Sequence, residues 1–291
     1  MSVLVLGATG NVGKYVVAEL AQSGTPTRVI SRDSAKAQSV LPSGVEIIEG
    51  AFGDEKTIVA ALDAVDSVFL LTPHAYTMAD LQLRVIRAAR RTGTRIVKLS
   101  GTDSAIHPDG PHACRQHWEI EEVLKASGQP FAILRPNSFM QVLVGQIMMG
   151  ALNATGKIPN ALAEHGISLI DARDVGAVSA RVLTSTEWDG QTLVLTGPRS
   201  VRYADVAELV SSIRGVETPT VEVTPADVRA SLVARGLEDW EADHFEEMYQ
   251  LFRDGASEFV TDTVEKVTGR APRTIEDYVS ELSGVLQSVN A

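Results

Sequence analysis

The stretch Gly7-Ala8-Thr9-Gly10-Asn11-Val12-Gly13 is where residue types and spacing point most directly to chemistry. It follows the apolar run Val3–Leu6 and opens a segment, Asn11–Gln22, in which Val12, Val16 and Leu20 recur every four residues, with Gly24 as a C-terminal stop. A glycine at such a strand-to-helix turn permits positive φ. A missing side chain lets a phosphate approach the backbone, and a final glycine lets helix and strand pack closely. The helix's first N–H groups and its positive dipole end then face the anion. Residues 7–13 are read as a dinucleotide site, against the competing reading of a purely structural turn.

Cofactor choice is read from the end of the second strand, Val29-Ile30-Ser31-Arg32-Asp33. An NAD-preferring site usually places a carboxylate here for the ribose hydroxyls. Arg32 can instead pair with a 2′-phosphate through charge-assisted hydrogen bonds, with Lys36 as a helper one turn into the next helix, so NADP(H) is the expected cofactor. A solvated loop charge is the other reading of Arg32. Asp33 is expected to cap the helix through Gln38.

These residues must be positioned by an alternation of short β-branched runs with segments of helical period. The strands are expected at Val3–Leu6, Thr27–Ser31, Val45–Ile48, Ser67–Leu71, Arg95–Leu99 and Phe131–Leu134, with helices at Asn11–Gln22, Lys56–Leu62, Leu81–Arg91 and His117–Ala126. The fold class is therefore α/β, a Rossmann-type doubly wound parallel sheet with a smaller C-terminal α/β cap. The expected division is 1–135 for the dinucleotide domain, with later segments returning to it, and 136–291 for the cap.

Bulk properties narrow the partners. The 291 residues are 44% hydrophobic and carry a net charge of −11, with no basic stripe, which argues against nucleic acid or an anionic membrane surface. No apolar run approaches the roughly 20 residues needed to cross a bilayer, and the N-terminal run lacks a basic flank, so a cytoplasmic protein is expected. Cys114 is the single cysteine and reads as a half-buried spectator thiol. The six histidines show no ligand spacing on a shared helix face, so no metal site is expected. No G-x-S-x-G elbow occurs.

Taken in order, LGATGNVG, the Arg32-to-Lys36 turn, GAFGDEKTIVAAL, VFLLTP, IVKLSG, HWEIEEVLKASG with FAILRPNSFMQ, IDARDVGAVSARVL and TGRAPRTIEDYVSE resemble the NmrA-like group of atypical short-chain dehydrogenases, close to its quinone-reductase type. The resemblance implies a pyrophosphate on Thr9–Val12, adenine near Phe52 and the nicotinamide ribose near Leu71, Thr72 and Pro73. Phe52 as an ordinary core aromatic stays open. The catalytic Tyr-x-x-x-Lys pair of typical short-chain dehydrogenases would fall near Ala113 and His117, and neither can do that work. Some relatives bind the cofactor without turnover.

His117 is expected at a helix start facing the nicotinamide, as a donor to an acceptor oxygen, against cofactor-ribose contact or a solvated helix start; His112, in the preceding loop, is a weaker candidate. In the cap, Met140, Val144, Ile147 and Met148 fall at helical spacing and read as core or as an adaptable pocket. Ile167–Ile170 and Gln191–Thr196 read as strands, and Asp174–Leu183 and Tyr203–Arg214 as helices. Asp171, Arg173 and Asp174 read as an ion-paired corner. In the acidic stretch Thr224–Gly255, an apolar stripe of Leu237, Trp240, His244, Met248 and Leu251 leaves the carboxylates on a solvated face. Two functions follow: an NADPH-dependent oxidoreductase moving hydride to a quinone or other conjugated carbonyl, or a non-catalytic NADP(H)-sensing regulator or scaffold. The expected partner is a small-molecule acceptor, with a homodimer left open.

Overall fold

The computed structural model describes residues 1–51 and 53–288. Seven parallel strands form the central sheet in the order β3-β2-β1-β4-β5-β6-β9: β1 (Val3–Val5), β2 (Thr27–Ser31), β3 (Glu46–Glu49), β4 (Ser67–Leu70), β5 (Arg95–Leu99), β6 (Phe131–Pro136) and β9 (Thr192–Leu195). The order reverses between β1 and β4, so the crevice beyond their C-terminal ends is the topological switch point at which open α/β sheets bind ligands.

The crossover helices cover both faces. On one, α1 (Gly13–Gln22) and α8 (Ala172–Leu183) bury Val16, Leu20, Val175 and Val178 against Val3, Val5, Phe69 and Val97. On the other, α3 (Glu55–Leu62), α4 (Met78–Thr92) and α5 (His112–Ala126) bury Ile58, Val85 and Ile120 against Leu4, Leu6 and Ile96. Burial is continuous along the central strands β1, β4 and β5, as double coverage requires, and lapses at the edge strand β3. Asp33 caps α2 (Ser34–Val40), accepting from the Lys36 N–H at 2.9 Å.

After β6 the chain builds a second core. A continuous helical run comprises α6 (Met140–Val142), a π-helical segment (Leu143–Met148) and α7 (Met149–Thr155). With β7 (Ile158–Asn160), β8 (Gly166–Ile167), β10 (Val201–Arg202), α9 (Tyr203–Arg214) and β11 (Thr220–Glu222) it buries Val144, Met148, Leu152, Val206 and Val210. A hairpin of α10 (Pro225–Ala234) and α11 (Asp239–Arg253) follows, then α12 (Thr263–Thr268), α13 (Ile275–Glu281) and α14 (Ser283–Ser288). The segment between α11 and α12 runs back along the sheet end. There the Ser257 carbonyl accepts from Asn137 Nδ2 and from the Ser168 N–H, and Thr261 Oγ1 donates to the Val194 carbonyl of β9.

Three expectations change. Of Ile167–Ile170 only Ile167 lies in a paired strand: the Leu169 N–H turns back to the Ile167 carbonyl, and Ser168 donates through Oγ to Phe259 O, leaving Ile170 a single bridge to Phe139. The strand expected at Gln191–Thr196 joins the main sheet beside β6. Helix α5 begins at His112, directly after Pro111, so His117 sits in its second turn and His112 is its first residue. The Asp171-Arg173-Asp174 corner is ion-paired: Asp171 caps α8 and holds Arg173 at 2.7 Å, and Asp174 pairs with Arg273.

Candidate functional site

A cleft of about 910 Å³ lies at the switch point. Its floor is the turn after β1, where Gly7, Ala8, Thr9, Gly10, Asn11 and Val12 all line it. The three glycines have different duties. Gly7 adopts φ +67°, and a Cβ there would meet Leu71 at 3.0 Å. At Gly13, which does not reach the cleft, a Cβ would lie 2.1 Å from the Gly7 carbonyl, so that glycine serves the closure of helix on strand. Gly10 has only the Gly7 carbonyl near its missing Cβ, at 3.2 Å, and its open side is the cleft. Val12 is the N-cap of helix α1 and offers no side-chain cap, and no acidic residue stands in the first turn. The N–H groups of Lys14 and Tyr15 turn back to the Gly10 and Val12 carbonyls, while those of Asn11, Val12 and Gly13 take no backbone partner among the described residues and can meet an anion.

Beyond β2, Ser31, Arg32, Asp33 and Lys36 form one wall. The Asp33 carboxylate is occupied as the α2 cap, while Arg32 and Lys36 have no ion-pair partner among the described residues. The residues present therefore fit an anionic substituent on the adenosine ribose better than a free 2′-hydroxyl. Phe52 lies outside the described residues.

Beyond β4, Leu71, Thr72 and Pro73 line the cleft, followed by His74 and Met78. Gln116 of α5 fixes this loop, accepting from the Ala79 N–H at 2.8 Å and donating to the Ala75 carbonyl at 3.2 Å. Above it, rings from three elements stack: His74 on Trp240 at 5.3 Å, Tyr76 on His112 at 4.7 Å, and His244 at 5.2 Å from His74. The apolar stripe expected in the acidic stretch is therefore what seats α11 on the cleft. Burial lowers the His74 pKa, against the countering charge of Glu241. Burial also takes His244 down to about 3, helped by His74 and His112. The His244 ring is therefore neutral near pH 7.

His117 lines the cleft beside Leu99 and Ser100, and its Nδ1 lies 2.8 Å from Lys98 Nζ. Lys98 is fully buried in β5, and its other two acceptors are Gln82 Oε1 at 3.1 Å and the Leu99 carbonyl at 3.2 Å. An ammonium has three N–H donors, and all three are used. A charged Lys98 makes Nδ1 of His117 an acceptor and so leaves the proton on Nε2, which has no protein partner among the described residues. Gln82 completes a line to the cleft by donating to Thr72 Oγ1 at 3.1 Å. Burial pushes the Lys98 ammonium down to about 7, with Glu121 countering and Arg135 adding to the fall. His117 is held well below the usual imidazole range by burial and then by Lys98. Ser100 Oγ donates to Glu121 Oε1 at 2.6 Å, and Arg135 joins Glu121 to Asp103 at 2.5 and 2.7 Å. Burial works to raise the Glu121 pKa but is outweighed by the bonds from Arg135 and Ser100.

Lys98 is the residue that sequence reasoning missed. Its signal was a lone lysine inside Ile96-Val97-Lys98-Leu99, where a doubly covered strand admits a charge only if it is paired. Cys114 is buried, its Sγ 3.7 Å from Met248 Sδ, and its thiol is pushed up to about 12 chiefly by burial.

The NmrA-like family model matches residues 1–279, and the chain belongs to that family. An NAD(P)H azoreductase of Xenophilus azovorans is 32% identical over 277 residues, 95% of this chain and 96% of that protein. Quinone oxidoreductase 2 of Escherichia coli is 25% identical over 298 residues, 97% and 99% of the two chains. The crystal structure of the Escherichia coli NADPH-dependent quinone oxidoreductase in complex with NADPH superposes with a TM-score of 0.85 at 25% identity, covering 96% of this chain and 99% of that one.

Proposed function

We infer that this NmrA-like protein is an NADP(H)-dependent oxidoreductase that transfers hydride to a quinone or another conjugated carbonyl acceptor, with His117 donating to the oxygen that gains charge. The observation that carries the reading is the Lys98–His117 pair at the β5 side of a cleft whose β2 side presents Arg32 and Lys36. The relatives named above act on azo and quinone compounds with nicotinamide cofactors. Pyrophosphate is assigned to the turn Thr9–Val12, the 2′-phosphate to Arg32 and Lys36, and the nicotinamide ribose to Leu71, Thr72 and Pro73.

When bound, the reduced cofactor supplies the hydride. The chain's part is to receive the charge that results. His117 Nε2–H donates a hydrogen bond to the acceptor oxygen, Lys98 holds the tautomer that makes Nε2 the donor, and Thr72 and Gln82 tie Lys98 to the cofactor loop. The reduced oxyanion of a quinone is stable, so a hydrogen bond suffices and water can deliver the proton afterwards.

The non-catalytic alternative rested on the missing Tyr-x-x-x-Lys pair, and a buried cation supplied from β5 supports the catalytic reading against it. We take residues 1–135, with α8 and β9 returning, as the dinucleotide unit and the rest of 136–291 as the acceptor cap. Cytoplasmic residence and a homodimer belong to the same proposal, and light scattering tests the latter. Acceptor-dependent NADPH oxidation across a quinone panel tests the function: turnover is expected, and tight NADPH binding without turnover of any quinone or azo acceptor would establish the sensor instead.

A further inference from the structure

The helical run from Met140 to Thr155 touches two cavities. Val142 lines the cofactor cleft, and Gln146 and Ile147, one turn on, line a second cavity of about 550 Å³. The π-helical segment lies at this crossing, where such a bulge commonly marks function. While Val144 and Met148 turn into the cap core, Ile147 stays 38% exposed and continues through Ala151 and Ala154 along the cavity wall. The opposite wall is apolar too, with Val221 of β11 at 40% exposure and Val228 and Leu232 of α10. Phe245 of α11 also lines this cavity, and its ring is 6.3 Å from that of His74 in the cofactor cleft. Lys157 and Arg235 stand on the lining and have no ion-pair partner among the described residues. The rim carboxylate, Asp227, is occupied by Thr224 at the α10 cap. Two unpaired cations beside an apolar cavity, in a chain of net charge −11, are a charge arrangement that a bound anion would complete.

We propose that this cavity is the outer half of the acceptor site, taking the apolar arm of a conjugated acceptor and, against Lys157 and Arg235, an anionic group carried on that arm. The proposal rests on the reductase reading above. From Val142 to Ala154 the helix advances roughly 18 Å at 1.5 Å per residue, which sets the scale of the arm. The volume falls within the usual range for small-molecule sites, and its lining is mostly apolar with a few convergent polar groups.

Two quinones with one head group test it, the first without an arm and the second with a ten-carbon chain ending in carboxylate. The armed acceptor is expected to show a kcat/KM at least about tenfold higher. Ala154→Trp, at an exposed helix position, should remove that gain and leave the unarmed quinone unchanged, with Ser231→Trp on α10 as an independent block. Lys157→Gln with Arg235→Gln should reduce the gain to that of an uncharged arm. Titration of the NADPH-loaded protein with decanoate gives a readout without turnover: binding should compete with the armed quinone, spare NADPH, and disappear in Ala154→Trp. A gain that survives both tryptophan variants overturns the proposal, as does decanoate that binds without competing. If decanoate binding is lost in Ala154→Trp while no quinone is reduced, the anion-and-arm site stands and the reductase reading alone fails.

Discussion

Replacing Lys98 by methionine tests the mechanism most directly, because the substitution keeps most of the buried volume and removes the charge that fixes the His117 tautomer. Isosteric replacement of a buried charge is commonly tolerated, so Lys98→Met should fold. Without the ammonium, Nδ1 of His117 can carry the proton and turn Nε2 into an acceptor, which withdraws a donor from the acceptor oxygen. A hydrogen bond to a charged oxygen contributes about 1.5–3 kcal/mol, and each 1.36 kcal/mol is tenfold in rate, so a fall of about 10- to 10²-fold in hydride transfer is expected. The pH profile carries the discrimination. Burial takes Lys98 down to about 7, so the ammonium is present below that pH and lost above it. The parent rate should therefore be full on the acid side and decline as pH rises through about 7, whereas the variant should show no such step. Stability runs the other way: a lysine with a lowered folded-state pKa penalises folding below about pH 7, and the penalty fades as pH rises towards the unfolded value. Single-turnover stopped-flow oxidation of NADPH by a short quinone, followed across pH, reads the first effect and urea melts the second. A variant with the parent's rate and the parent's alkaline decline would refute the role given to Lys98.

His117→Ala should lower turnover about 10²-fold with NADPH affinity retained, and His117→Gln should recover part of the loss because it keeps an N–H donor; steady-state kinetics with fluorescence titration decide. Arg32→Ala should weaken NADPH by about 1.5–3 kcal/mol and leave NADH nearly unaffected, so equal losses in a binding titration would remove the 2′-phosphate assignment. Gly10→Val should abolish cofactor binding while the circular dichroism spectrum is retained. Gly13→Ala, whose new Cβ has no space, should destabilise the fold itself by about 1–3 kcal/mol in a denaturant melt.

Much of the first half was legible because its rules are local. Alternating β-branched runs and four-residue periodicity specify strands and helices, and Gly7, Gly10 and Gly13 carry their meaning in their spacing. Asp33 announces its cap, and Arg32 its place beyond β2. What was not legible depends on pairing between distant elements. Nothing near Lys98 in the chain says that Gln82, from α4, and His117, from α5, converge on it, and the early start of α5 is set by Pro111 where residue propensity alone gave no boundary. The second cavity was also hidden, because a π-helical turn rotates Ile147 out of the stripe it shares with Met140, Val144 and Met148.

The segment from Ser257 to Thr261 works as a hem. It is stitched to Asn137 after β6, to Ser168 in the cap and to Val194 on β9, so the two cores share a seam made late in the chain. A fragment ending at residue 135 would lack the edge strand β9 and the α8 cover over α1, and one beginning at 136 would keep both without the sheet they complete. Anyone seeking a minimal nucleotide-binding piece for fusion or display would have to keep residues from both ends of the sequence. A cut placed anywhere between β6 and Thr261 should release two incomplete halves in place of two modules.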